Sequence, residues 1–90
     1  MAKAIVDPNE LRKFATDLKR FTEELHTQMN MINTRCHTLG QTWKDQEHRK
    51  FMDEFEQAMR VLARFQIATK EHIPFLLRKA QRAEDYLQQR

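Results

Sequence analysis

Leu11, Leu18, Leu25, Ile32 and Leu39 recur every seven residues, and Phe14, Phe21, Met29 and Cys36 fill the neighbouring rows, so one apolar stripe runs along the first half of the chain. Asp7-Pro8-Asn9-Glu10 ahead of it supplies a capping acceptor, a proline at the first helical position and an acid three residues past the cap. The pattern predicts a helix over 8–39, about 48 Å long at 1.5 Å per residue. Gly40, able to take a left-handed cap without strain, is expected to end it. Thr42-Trp43-Lys44-Asp45 resembles a second capping box with Thr42 at the cap. That reading leaves a turn of only 40–42 and a second helix over 43–88.

The second stripe is Phe51, Phe55, Ala58, Leu62, Phe65, Thr69, Ile73, Leu76, Ala80, Ala83 and Leu87, widened by Met52, Met59, Val61 and Leu77. It is broader than one partner helix can cover, and uncovered apolar surface invites another chain. Pro74 lies inside it, deleting a hydrogen bond to the Lys70 carbonyl; the stripe keeps its phase, so the expectation is a kink near 70–74 and not a helix end. A short turn pairs the stripes antiparallel, with Met29 near Phe55, Phe21 near Leu62 and Leu11 near His72 or Ile73. On that register Phe75 to Arg90 overhangs the first helix by about 24 Å. The fold class is therefore all-α: one domain over 1–90, an antiparallel two-helix hairpin, dimerising into a four-helix bundle.

Composition narrows the function. One Gly and two Pro among 90 residues leave too little turn chemistry for a β-rich fold. A chain this short is near the lower limit for one self-sufficient core, which again favours association. Charge is 32% of residues with a net of +3, and acids and bases interleave. Arg12, Lys13, Lys19 and Arg20, with Arg78, Lys79 and Arg82, make a basic cluster, but Asp17, Glu23, Glu24, Glu84 and Asp85 dilute it, so no nucleic-acid partner is expected. Regular aromatic spacing on two facing stripes fits a bundle better than a lipid-inserting surface. A single cysteine, Cys36, permits no intrachain disulfide and fits a reducing, cytoplasmic compartment. No apolar run reaches membrane-span or signal-peptide length, so neither a membrane span nor a cleaved signal is expected.

Cys36, His37 and His48 can approach one another across the turn with zinc-type donors, yet Cys36 also fits the stripe; the core reading is preferred, and no metal site is assigned. His72, at a stripe edge, reads as a satisfied imidazole rather than a base. There is no nucleophile–base pairing and no glycine-rich phosphate loop, so no catalytic residue, cofactor or enzymatic activity is expected. Trp43 beside the turn is suited both to plugging the hairpin end and to docking at an interface. The residues expected to make the dimer or bundle interface are Leu11, Phe14, Leu18, Phe21, Leu25, Phe55, Met59, Leu62, Phe65 and Leu76.

A tryptophan at the mid-chain turn, an aromatic eight positions later (Trp43, Phe51) and long helices on each side resemble the Trp-x-Gly (WXG) family, small helical-hairpin proteins of type VII secretion. The third motif position is Asp45 where the family usually has glycine; Gly40 supplies turn flexibility instead. The resemblance implies a four-helix bundle of two hairpins, with itself or a paralogous hairpin protein as partner. It also implies a role as secreted effector or substrate carrier, engagement by a type VII secretion ATPase, and export without a cleaved signal peptide. Tyr86 and Arg90 stand where the family's C-terminal Tyr-x-x-x-Asp/Glu signal falls, with the charge inverted. The alternative is a cytosolic homodimeric adaptor or scaffold that shares the architecture and is not exported.

Overall fold

The computed structural model describes residues 6–89. The first helix, α1, spans Pro8–Leu39, the bounds expected from sequence. Asp7 caps it by accepting from the Asn9 amide at 2.8 Å. Glu10 does not reach back to the cap and pairs with Lys13 instead.

The second helix, α2, spans Gln46–Gln88 and so begins three residues later than expected. The chain leaving α1 keeps winding, with the amides of Gly40, Thr42 and Trp43 donating to carbonyls of Cys36 and Leu39. Thr42 stays within that winding, its hydroxyl donating to the Leu39 carbonyl at 3.3 Å. Asp45, a stronger capping residue than threonine, takes the N-cap by accepting from the His48 amide at 3.0 Å. The connection is therefore Gly40 to Asp45, not 40–42.

Gly40 also departs from expectation. Its φ of −63° and ψ of −15° are right-handed, and no described residue has a positive φ. What glycine provides here is room, since a Cβ at position 40 would lie 3.2 Å from His48 Nε2.

The longer connection slides α2 along α1 by about one helical turn from the expected register. Thr22 now lies opposite Gln66, bound by Gln66 Nε2 donating to the Thr22 carbonyl at 3.1 Å, and Cys36 lies opposite Met52. The shift shortens the expected overhang by about one helical turn, about 5 Å. Ala80 is 0% exposed, and Arg12 holds Glu84 through a two-pronged ion pair at 2.9 and 3.1 Å. Both side chains of that pair are about one-third exposed, so it contributes at most about 1 kcal/mol and chiefly orients the tail.

The α2 helix passes unbroken through Pro74, which sits on the solvent side. Its 43 residues account for about 65 Å at the helical rise, close to the molecule's long dimension of 69 Å, so the tail does not fold back. The rod is 17 by 14 Å in section, and its radius of gyration of 20.3 Å compares with about 12 Å for a compact domain of this length.

The seam between the helices is lined by short side chains. On α1, Pro8, Ala15, Thr22 and Cys36 are buried; on α2, Gln66, Thr69 and Ala80 are. The leucine row Leu11, Leu18 and Leu25 lies beside them, half-buried, facing half-buried Phe55, Leu62 and Leu76. Close approach at Ala15 and Ala80 leaves no space for branching. Ala80→Leu is expected to lower stability by about 1–3 kcal/mol through overpacking, read from thermal unfolding. Gly40→Ala is expected to stabilise by about 0.4–1 kcal/mol in a His48→Ala background and by distinctly less with His48 present. A double-mutant cycle isolates that contact.

Candidate protein interface

Successive helical residues advance by about 100°, which gives the hairpin two unlike flanks. One carries Arg12, Lys19, His26 and Asn33 on α1 and Glu56, Lys70, Leu77 and Glu84 on α2; the Arg12–Glu84 pair closes it. Polar residues dominate that side.

The opposite flank is apolar along most of the rod. Phe14 and Phe21 stand there on α1 at 55% and 51% exposure, next to the half-buried leucine row. On α2, Phe51, Ala58 and Phe65 form one row and Val61, Ala68 and Phe75 the next. Phe21 and Phe65 meet across the helices edge to face, with centroids 6.2 Å apart. Phe65 nevertheless stays 46% exposed and Val61 55%.

The turn feeds into the same surface. Trp43, half-buried, sets its ring against the edge of His48 at 5.1 Å and against Phe51 at 5.6 Å, and Phe51 stacks on Phe55 at 5.7 Å. Because Phe51 belongs to the row of Ala58 and Phe65, Trp43 both closes the hairpin end and extends the aromatic flank. Asp45 works in this cluster as the cap that pins the His48 backbone.

The ten residues expected at an interface thus divide. Leu11, Leu18, Leu25, Phe55, Met59, Leu62 and Leu76 are half-buried along the seam, whereas Phe14, Phe21 and Phe65 project outward on the flank. Phe75 and Val61 belong with the latter. Ile67, 60% exposed, falls on neither stripe, and nothing in the structure explains it. Tyr86 is exposed near the end of α2; Arg90 lies outside the described residues.

Among the described residues no three His, Cys, Asp or Glu side chains converge on one point. A hollow of about 460 Å³ opens beside the seam between Met29, Cys36, Met52, Phe55 and Met59. No helix among the described residues is long and apolar enough to cross a membrane.

No curated protein and no solved structure matches this chain. The family described as proteins of 100 residues with WXG, WXG100, matches residues 4–88, nearly the whole length. The tryptophan at the turn, the aromatic eight residues on and the two-helix hairpin agree with that match, and the chain belongs to the WXG100 family of small helical proteins associated with type VII secretion.

Proposed function

We propose that the chain is a non-enzymatic interaction protein of type VII secretion, a substrate or effector that pairs through its apolar flank with a second copy or a paralogous hairpin. The observation that carries this reading is the lack of a core. Among the described residues no large side chain is fully buried, while thirteen large apolar ones are exposed. The chain exposes 7577 Å², against about 5,600 Å² for a compact protein of 10.9 kDa. An excess of about 2,000 Å² per chain is of the order that permanent interfaces cover. Two hairpins laid flank to flank would bury Phe14, Phe21, Val61, Phe65 and Phe75 in a four-helix bundle.

The bundle is the unit presented to the secretion ATPase. Export leaves the polypeptide uncleaved, and the cytoplasm is where pairing takes place. A carboxylate four residues after the tyrosine would meet basic or donor groups on a receptor; Arg90 brings like charge there and loses a charge-assisted hydrogen bond, a penalty of about 1–3 kcal/mol. The chain therefore leaves with a partner that supplies the acidic signal. That same arginine is what favours the second reading, a cytosolic adaptor that is not exported.

Light scattering after size exclusion is expected to give twice 10.9 kDa at micromolar concentration. Phe65→Asp, which forfeits about 2 kcal/mol of burial per chain and places a charge in the bundle, is expected to abolish the dimer and most of the helical signal. A well-folded wild-type monomer at that concentration overturns the pairing. For export, the chain expressed alone beside an intact type VII system is expected to stay in the cells, and to reach the medium when a partner hairpin ending in Tyr-x-x-x-Asp/Glu is co-expressed. ATPase-dependent secretion without any partner contradicts the role given to Arg90; retention even with the partner favours the adaptor.

A further inference from the structure

Beneath the turn, three metal-binding donor types from both helices line one hollow. Cys36, buried at the end of α1, points its Sγ at Met52 Sδ across the seam, 3.1 Å away. A thiol and a thioether make only a weak hydrogen bond, so this contact satisfies neither sulfur strongly. His48 lies one helical turn before Met52, and its Nε2 is enclosed yet has no hydrogen-bond partner. Gly40 leaves the imidazole its place, since any side chain there would crowd that nitrogen at 3.2 Å. Cys36, His48 and Met52 line one hollow of about 380 Å³, with His37 on its wall. An enclosed polar atom without a partner asks for a water or an ion.

We propose that Cys36, Met52 and His48 form a binding site for a soft monovalent metal ion, Cu(I). The donor set decides the metal. Zinc takes thiolate, imidazole and carboxylate, and the described residues bring no three of these together. A thioether beside a thiolate selects Cu(I) instead. The site is preorganised from outside, because Asp45 accepts from the His48 amide at 3.0 Å and Trp43 lies 5.1 Å from the imidazole centroid. Binding deprotonates the Cys36 thiol and releases that proton to solvent; the copper remains Cu(I), and no electron is transferred. The bound ion would tie α1 to α2 at the turn.

Anaerobic titration of the full chain with Cu(I), in competition with a chromogenic Cu(I) chelator, tests the site. One equivalent is expected to be withheld from the chelator, with a rise of more than about 5 °C in Tm. Met52→Leu conserves volume and His48→Gln is partly exposed, so both variants are expected to keep their helical signal. Each is expected to weaken Cu(I) binding at least tenfold, as is Cys36→Ala. Zn(II) at the same concentration is expected not to be retained. If Met52→Leu and His48→Gln bind as the wild type while Cys36→Ala does not, the thiol alone captures the ion and the site is refuted. Failure of the wild type to withhold copper, or preference for zinc, refutes it equally.

Discussion

Two helices can lie close together only where the side chains between them are short, and this hairpin places Pro8, Ala15, Thr22 and Cys36 on one side and Thr69 and Ala80 on the other. Filling the seam with small groups has a direct consequence for the large ones. Phe14, Phe21 and Phe65 stand at the edge of that seam, where two helices cannot cover them. The hairpin is thus held by modest contacts and leaves its strongest apolar groups to a partner. Stability and association share a single cause.

At the turn the same economy of space appears on a smaller scale. Gly40 is retained for the room its missing Cβ leaves to His48, and Asp45 fixes the first turn of α2 by capping it. Together they seat the imidazole against Trp43, which also meets Phe51. The acid at position 45 caps α2, and the tryptophan two residues earlier packs against that helix's first turns at His48 and Phe51.

The architecture was legible in the sequence, and its register was not. Asp7 and Pro8 open α1 by local chemistry that acts the same way in the folded chain, whereas Gly40 follows its end without the left-handed cap expected of it. The start of α2 is ambiguous because Thr42 to Asp45 and Asp45 to His48 both have cap spacing; the continued winding past Leu39 decides it, and that is a tertiary outcome. A three-residue difference in the loop moved every cross-helix pair by about a turn. Hydrophobic periodicity identified the apolar rows but did not divide them between seam and flank, since it ranks positions by apolarity and carries no measure of how closely two backbones approach. The sulfur contact of Cys36 with Met52 joins residues 16 apart and depends wholly on the true register.

What holds that register is the polar layer at the middle of the rod. Gln66 is 8% exposed and Thr22 and Thr69 are 3% each, and both threonine hydroxyls donate to the carbonyl one turn earlier on their own helices. Folded back in this way, Thr22 leaves its own carbonyl open to the Gln66 amide. Slipping α2 by one heptad toward the turn would set Gln66 against Met29, whose long side chain covers the backbone and strands a buried amide at a cost of about 1–3 kcal/mol. Apolar seams alone tolerate such slips, because leucine against leucine is nearly as good one heptad away. A single buried polar layer discriminates between registers, as buried asparagines do in coiled coils. Only in the selected register does Phe21 meet Phe65, so the continuity of the aromatic flank is set by a hydrogen bond at the centre of the seam.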